Sequence, residues 1–320
     1  MDGTIFLNEN MYSELMAGTV DPYLETRAEK GKFKSFDGRE LYYENYRADE
    51  PERSVVIVHG FTESVVKYHE LAYYFLRKGS NVYLLEQRGH GRSFRYVDDP
   101  KVTHIERFEE YVLDLEAYVD AFVTDGLPRM LYAHSMGGAV GALFMEKRPA
   151  WFDRAVLSSP MIAPERGGYP LGVSKLICGA MIAAGKGSER FFASHDSGEK
   201  ERFEESEATS RQRFDYYNEI KFSTPEFSNN APTNKWVYES LKVTSAILGR
   251  GKPESIETGI LMYQSAVDNM VRSPEQDAFA ARLKKCTKRK ITGSRHEIYR
   301  STDDVLRPVV EEMIRFYSGE

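Results

Sequence analysis

Short apolar runs alternate with longer amphipathic patterns over most of the sequence, and this alternation limits the possible folds most strongly. The runs are rich in Val, Ile, Leu and Tyr, and each ends in a polar or glycine-bearing turn, as buried strands do. They cover residues 54–60, 81–87, 130–135, 154–160 and 259–265. Because strands that alternate with helices form parallel sheets, we expect an α/β fold: a mostly parallel central sheet with helices on both faces.

The segments outside these runs predict two amphipathic helices and one hairpin. In residues 108–122 the apolar side chains fall on one face of a helix, and residues 305–317 repeat that pattern. Residues 31–48 instead read as two short strands, with Asp37 and Gly38 at the turn between them.

The alternation stops near residue 161 and resumes after residue 255. The interval holds an apolar helical pattern, a long charged stretch and an amphipathic pattern, at 169–185, 194–222 and 234–249 respectively. We therefore predict an inserted helical cap over residues 161–255, on a core domain formed by residues 1–160 and 256–320. A partly disordered surface insertion is the alternative interpretation.

Composition excludes some classes of function and compartment. The formal net charge of −6 argues against nucleic acid as a partner, because phosphate binding needs a basic face. The only two cysteines, Cys178 and Cys286, favour a reducing compartment over a disulfide framework. We see no signal peptide and no run near the roughly 18 apolar residues that span a bilayer. We therefore expect a cytoplasmic protein, with peripheral contact to the inner face of the membrane left open and no oligomeric state predicted.

The stretch AHSMG, residues 133–137, places one serine between a predicted strand and a predicted helix. A strand that turns sharply into a helix through small residues exposes a hydroxyl at its apex, on strained backbone. Gly137 and Gly138 would let the helix begin close against the sheet. We predict that Ser135 is a nucleophile, with Ala133 where glycine is commoner. A chance match to this short pattern is the alternative.

A serine with its ordinary pKa is a poor nucleophile, so this interpretation requires a base and an acid that orients the base. The expected chain order is serine, acid, histidine. Of the two histidines after Ser135, His296 follows a predicted strand and is the predicted base, whereas His195 lies in the charged stretch. Asp268, just past a predicted strand, is the predicted acid, and Asp277, in a predicted helix, is its rival.

The tetrahedral intermediate of such a reaction needs two N–H donors for its oxyanion. We expect one from Met136, directly after the serine, and the other from Phe61 in the loop HGFTES. His59 precedes the serine and belongs to this loop, so we interpret it as structural. In the second glycine loop, at residues 86–93, no lysine follows as a phosphate cradle would require, and we assign His90 to a tight turn.

Taken together, HGFTES, RGHGRS, AHSMGG, QSAVDN and GSRHEI resemble the α/β-hydrolases of the monoacylglycerol lipase type. The stretches ESVVKYHELAYYF, RGHGRSFR and APTNKWVYES are similar to the bacterial lysophospholipase branch in particular. The likeness spans about residues 33–317 and is weakest in the predicted cap. It implies an α/β-hydrolase fold and the same site residues, namely nucleophile Ser135, acid Asp268, base His296 and oxyanion donors Phe61 and Met136. Glu86, where members often have Asp, is a departure outside the triad.

The resemblance implies hydrolysis of a carboxylic ester in a lipid with one acyl chain, such as a lysophospholipid or a monoacylglycerol. It implies a small-molecule lipid ester as substrate and no metal or cofactor. A short-chain carboxylesterase and an aminopeptidase of the proline iminopeptidase kind are alternatives on the same scaffold. A ligand-sensing protein that keeps a hydrolase fold is a further alternative. Head group and chain length stay open, because the cap shapes the acyl pocket.

Overall fold

The computed structural model describes residues 5–194 and 201–320, which contain an eight-stranded, mostly parallel sheet. The strands of these residues are β1 Ala28–Lys34, β2 Glu40–Tyr46, β3 Arg53–Val58, β4 Ser80–Leu85, β5 Val102–Thr103, β6 Arg129–His134, β7 Arg154–Ser158, β8 Ala231–Pro232, β9 Gly259–Ser265 and β10 Cys286–Ile291. The order across the sheet is β1-β2-β4-β3-β6-β7-β9-β10, and β5 pairs separately with β8. Strand β2 runs antiparallel to both of its neighbours, whereas the pairs from β4 to β10 are parallel.

Helices pack on both faces of this sheet. They are α1 Tyr12–Leu15, α2 Asp21–Glu25, α3 His69–Arg77, α4 Glu109–Phe122, α5 Met136–Lys147, α6 Leu171–Ala183, α7 Arg211–Ser223, α8 Asn234–Ile247, α9 Ser273–Ala280 and α10 Asp303–Ser318. Short 3₁₀ turns lie at Glu9–Met11, Val65–Tyr68, Phe203–Glu205, Pro225–Phe227, Pro253–Ser255 and Ile298–Arg300, and Met16–Val20 is a π-helical turn. Buried residues of α4, α5, α8 and α9 form the core on one face, and those of α1, α2, α3 and α10 form it on the other. None of the helices in the described part of the chain is long and apolar enough to cross a membrane.

Successive side chains of a strand point to opposite faces of the sheet, so each central strand contributes to both cores. In β3, Val56 and Val58 belong to the core beneath α4 and α5, whereas Val55 and Ile57 belong to the core beneath α3 and α10. Each buried valine or isoleucine contributes about 1.5–3 kcal/mol relative to exposure. Burial on both faces explains why these strands appear in the sequence as unbroken apolar runs.

The predicted strands are present, but β6 ends one residue earlier than the apolar pattern indicates and three others end two residues earlier. β3, β4 and β7 end at residues 58, 85 and 158, two residues before the predicted ends. At these points the chain enters turns at the edge of the sheet, and Ser159 already has a φ of 44°. The predicted hairpin is confirmed as β1 and β2, with Gly38 at φ 79° in the turn.

Between β7 and β9, the described residues contain three α-helices. The predicted patterns at 169–185 and 234–249 form α6 and α8, while α7 covers the end of the stretch that the sequence marks only as charged. Ser210 caps α7 by accepting the N–H of Arg213, and Phe214 and Tyr217 are buried. This apolar spacing after a capping serine was the available sequence signal for α7.

Arg213 fastens α7 to the sheet-bearing part of the molecule. Its side chain is 1% exposed and donates to both carboxylate oxygens of Glu70, in α3, at 2.7 and 2.9 Å. It also donates to Asp303, at the start of α10, at 2.9 Å and to the carbonyl of Ser301 at 3.0 Å. One buried guanidinium of α7 therefore joins this helix to α3 and α10, which share one of the two cores.

We expect Arg213→Met to lower the free energy of unfolding by about 3–5 kcal/mol, because it leaves buried carboxylates without their cation. Arg211→Met is the matched control, since Arg211 pairs with Asp215 on the same helix while both side chains are more than half exposed. The control should change stability by about 0.5 kcal/mol or less. Urea unfolding of both variants measures this, and equal losses would contradict the anchoring role of Arg213.

Candidate active site

The carboxyl ends of four strands bring the predicted site residues to one edge of the sheet, with His296 in the loop after β10. Phe61 follows β3, Ser135 follows β6 and Asp268 follows β9. β3 and β6 are neighbours, yet the chain leaves β3 toward β4 and leaves β6 toward β7, on opposite sides. In open α/β sheets, ligands bind at such a switch in strand order.

Ser135 joins β6 directly to α5 in a strained backbone conformation, with φ 52° and ψ −118°. The next two glycines allow the helix to start against the sheet. A Cβ on Gly137 would lie 2.2 Å from the carbonyl oxygen of Val58, and one on Gly138 would lie 2.6 Å from the Cβ of Pro160. The close approach predicted from these small residues is therefore confirmed.

The structure brings Ser135, His296 and Asp268 into one chain of hydrogen bonds. Nε2 of His296 lies 2.8 Å from Oγ of Ser135, and Nδ1 lies 2.8 Å from Oδ2 of Asp268. Asp268 also accepts from the hydroxyl of Ser265 at 2.7 Å and from the N–H of Val271 at 3.0 Å. These bonds fix the carboxylate, which in turn fixes the orientation of the imidazole.

The rival acid, Asp277, does not join this chain of hydrogen bonds. Asp277, on α9, is half exposed and accepts from Lys288 and Gln264. His195 lies outside the described residues. The ring of His59 accepts from the N–H of Gln87 at 2.9 Å through Nε2, and Nδ1 donates to its own loop. Both of its ring nitrogens are therefore occupied, as a structural histidine requires.

Electrostatics favour a proton on His296. Burial by itself would lower the pKa of this imidazole, but the hydrogen bond and charge of Asp268, with Glu297 and Glu207 nearby, raise the pKa above its usual value. Burial would raise the pKa of Asp268, yet the bond and charge of His296 hold that pKa below its usual value. The site therefore stabilises the imidazolium that forms when the ring accepts a proton.

Two backbone N–H groups have no acceptor within the described parts of the chain, that of Met136 directly after the serine and that of Phe61 in the loop after β3. Met136 is the first residue of α5, where the N–H lacks an intrahelical partner. Phe61 donates to no backbone oxygen, and its ring packs 4.1 Å from that of Trp236 in α8. The arrangement thus combines unpaired donors with an apolar wall.

Backbone strain in the described residues is concentrated at this edge. Thr62, Ser135 and Ser159 are the non-glycine residues there with positive φ, at 59°, 52° and 44°. They follow β3, β6 and β7, which are adjacent strands. Such strain is typical of functional sites. Neither Thr62 nor Ser159 could be predicted from the sequence, since neither residue type favours this conformation.

Sequence reasoning also missed a group of buried charges beside the site. Lys67 donates to Glu63 at 2.9 Å and to Glu297, the residue after His296. The backbone carbonyl of Glu207, from the insertion, accepts the N–H of Glu297 at 3.1 Å. Acidic residues within HGFTES and GSRHEI were the available signal.

Across residues 5–194 and 201–320, no group of three or more His, Cys, Asp or Glu side chains could hold a metal ion.

The order of the sheet, with a serine elbow between β6 and α5, assigns the chain to the α/β-hydrolases. Within that class, the model of the family described as serine aminopeptidase, S33, matches residues 49–303. The chain belongs to this family.

Individual relatives agree with this assignment. Lysophospholipase L2 of Escherichia coli strain K12 is 28% identical over 97% of this chain and 93% of its own length. Monoacylglycerol lipase of Mycolicibacterium smegmatis is 33% identical over 47% of this chain and 52% of its own length. A soluble variant of monoglyceride lipase from Saccharomyces cerevisiae, solved with a substrate analog, has a TM-score of 0.72 at 17% identity, covering 91% of this chain and 94% of that one. The predicted fold and the resemblance to these two kinds of hydrolase are therefore confirmed.

We expect the imidazole of His296 to titrate above its usual pKa of about 6.5. Asp268→Asn removes the carboxylate that raises this pKa and leaves the burial that lowers it, so the midpoint should fall. Histidine-ring NMR measures the midpoint, with the signal assigned by its loss in His296→Gln. Asp277→Asn, the control, should leave the midpoint unchanged, and an equal shift in both variants would contradict the assignment of Asp268.

Proposed function

We propose that this protein is a serine hydrolase that cleaves the carboxylic ester of lipids with a single acyl chain, through an acyl-enzyme on Ser135. The observation that carries the proposal is the chain of two 2.8 Å hydrogen bonds from Ser135 through His296 to Asp268. The unpaired N–H groups of Phe61 and Met136 support it, because an oxyanion needs such donors.

The first half of the reaction acylates the serine. Nε2 of His296 takes the proton of Ser135 as its Oγ bonds to the ester carbonyl carbon, and the carbonyl electron pair moves onto oxygen. The N–H groups of Phe61 and Met136 bind that oxyanion. The imidazolium, stabilised by Asp268, then gives its proton to the departing alcohol oxygen as the C–O bond breaks.

The second half returns the free enzyme. A water molecule gives its proton to Nε2 of His296 and attacks the acyl carbon, which forms a second oxyanion at the same donors. Collapse of this intermediate breaks the bond to Oγ of Ser135, and the imidazolium returns a proton to that oxygen. The products are a fatty acid and the alcohol that carries the head group.

An acyl chain as the bound group is supported by the apolar surroundings of the site and by its relatives. The rings of Phe61 and Trp236 pack together beside the proposed oxyanion donors. Relatives named lysophospholipase L2 and monoacylglycerol lipase match the chain. Both names describe enzymes whose substrates have one acyl chain, and we transfer that substrate class to this protein.

We also propose that residues 161–255 act as a cap and that its helix α6 contacts a membrane surface. On α6, Val173, Leu176 and Ile177 are 42%, 73% and 40% exposed, and only Cys178 of this helix is buried. Met270, beside the acid, is 49% exposed. An apolar helix face of this kind suits a lipid surface. The compartment we propose is the cytoplasm, at the inner face of the membrane.

An aminopeptidase activity is the second candidate. The family description names this activity, and Glu207 supplies an acidic group near the histidine that could receive an α-amine. Its carboxylate lies 3.4 Å from the backbone N of His296. Burial raises the pKa of Glu207, however, which weakens it as an amine receptor. A short-chain carboxylesterase and a ligand-sensing protein are the remaining alternatives. The comparison of substrates with Ser135→Ala, described next, distinguishes them from a lipid esterase.

We expect Ser135→Ala to lower ester turnover by about 10⁴-fold or more with unchanged stability, because the nucleophile is lost. The assay compares lysophospholipids, monoacylglycerols, short p-nitrophenyl esters and aminoacyl amides, and a fluorophosphonate probe should label Ser135 in the unaltered protein. Ser245→Ala, an exposed serine on α8, is the control. A preference for acetyl esters or aminoacyl amides would favour the alternatives, and absence of both labelling and turnover would favour a sensing protein.

We expect Leu176→Glu to weaken binding to phosphatidylglycerol-containing vesicles by about tenfold or more, because a buried leucine contributes about 1.5–3 kcal/mol. Cosedimentation with the vesicles measures this. Met11→Glu alters a residue that is 49% exposed in the N-terminal segment and should bind as the unaltered protein does. Equal binding by both variants would contradict contact through α6.

A further inference from the structure

Glu63 is buried in the loop after β3 and accepts hydrogen bonds from four groups. Its Oε2 accepts the backbone N–H of Gly60 at 2.5 Å and the hydroxyl of Tyr68. Its Oε1 accepts Nζ of Lys67 at 2.9 Å and the hydroxyl of Tyr299 at 2.6 Å. A carboxylate can accept at all four positions, whereas an amide would turn N–H groups toward donors.

These four donors come from two separate loops of the site. Gly60, Lys67 and Tyr68 belong to the segment after β3, whereas Tyr299 lies three residues after His296 and 236 positions from Glu63. The rings of Tyr68 and Tyr299 also stack, with centroids 4.8 Å apart. The carboxylate of Glu63 therefore joins the proposed oxyanion loop to the loop that carries the proposed base.

The charges around Glu63 are balanced and buried. Two acids, Glu63 and Glu297, face Lys67 and Arg300, and these four side chains are 3–14% exposed. Burial would raise the pKa of Glu63, but Lys67, His134 and the bound hydroxyls hold that pKa well below its usual value. The bonds to Glu63 are therefore charge-assisted and stronger than those between neutral groups.

The bond from Gly60 acts directly on the neighbouring peptide. Its N–H is held by Oε2 of Glu63, and a Cβ on Gly60 would lie only 2.8 Å from that oxygen. Between these residues, Thr62 has a φ of 59°, a strained conformation that the surrounding bonds must maintain. The loop thus closes on its own carboxylate, with Phe61 at its centre.

We propose that Glu63 is a positioning residue that holds the N–H of Phe61 in place as an oxyanion donor and fixes it relative to His296. This inference rests on the proposed function, because an oxyanion forms at this loop only if the protein performs acyl transfer. Glu63 touches no reacting atom and acts through the backbone of Gly60 and Phe61.

The test compares turnover of p-nitrophenyl octanoate with affinity for an octyl trifluoromethyl ketone. The ketone carbon bonds to Oγ of Ser135, its carbonyl electron pair moves onto oxygen, and the serine proton passes to His296, so the adduct carries the same oxyanion. We expect Glu63→Gln to lower kcat by about 10- to 100-fold, with KM within about threefold. The affinity for the ketone should fall by the same factor as kcat/KM.

Three further variants separate positioning from a loss of stability. Tyr299→Phe removes one hydroxyl bond to Glu63 and keeps the ring, so kcat should fall by about 3- to 10-fold. Its control, Tyr317→Phe, removes a buried hydroxyl bond to the carbonyl of Leu131, in the core, and should leave kcat/KM unchanged. Glu146→Gln replaces a buried carboxyl group at the far end of α5 and should also turn over as the unaltered protein does.

The conservative change Glu63→Asp keeps the charge and should recover part of the rate that Glu63→Gln loses. Folded Glu63→Gln with kcat within about twofold of the unaltered protein would overturn the inference. So would a loss of kcat without a matching loss of affinity for the ketone. If the Glu63 variants do not fold, an unchanged kcat in Tyr299→Phe overturns it. An unaltered protein without turnover would instead refute the proposed function.

Discussion

The contact between the first turn of α5 and the end of β3 sets the geometry on which the site depends. A Cβ on Gly137 would lie 2.2 Å from the carbonyl oxygen of Val58, so the helix begins nearer to the strand than any residue with a side chain would allow. Ser135 and Met136 lie at the start of that helix, and Phe61 follows Val58 by three residues. One backbone contact therefore sets the distance between the proposed nucleophile and both proposed oxyanion donors, before any side chain takes part.

Such a close junction forces the chain into conformations that must be held by their surroundings. The positive φ values of Thr62, Ser135 and Ser159 each carry a free-energy penalty of about 1–3 kcal/mol. The N–H of Ser135 donates to the carbonyl of Ser158 at 3.1 Å, which ties the elbow to the neighbouring strand. Glu63 closes the loop around Thr62 in a similar way. Strained backbone and buried hydrogen bonds thus occur at the same edge of the sheet, because the hydrogen bonds maintain the strained conformations.

The sequence predicted those features that local pattern determines. Strand runs, the hairpin at Gly38 and the small residues after Ser135 each have a signal within a few positions, and the chain order of serine, acid and histidine then placed Asp268 and His296. Long-range features carried no such signal. Arg213 meets Glu70 across 143 positions and Glu63 meets Tyr299 across 236, so their partners could not be inferred from spacing. α7 was hidden because its charged residues outnumber the buried apolar ones that define its inner face.

The loop that carries His296 is hydrogen-bonded to the insertion, residues 161–255. These bonds reach the part of the insertion at α7 and do not involve α6. Arg295 donates to the carbonyl of Ser206 at 2.7 Å, and the N–H of Ser210 donates to the carbonyl of Arg300 at 3.0 Å. Displacing α7 would break these bonds and the buried pairs of Arg213, and it would also release the segment that orients the imidazole. Helix α6 buries only Cys178 and packs mainly on α8, so its displacement disturbs no bond of the proposed triad. We therefore expect the movement that admits a lipid at α6, the part of the insertion whose apolar face is already exposed, while α7 keeps the proposed base in place.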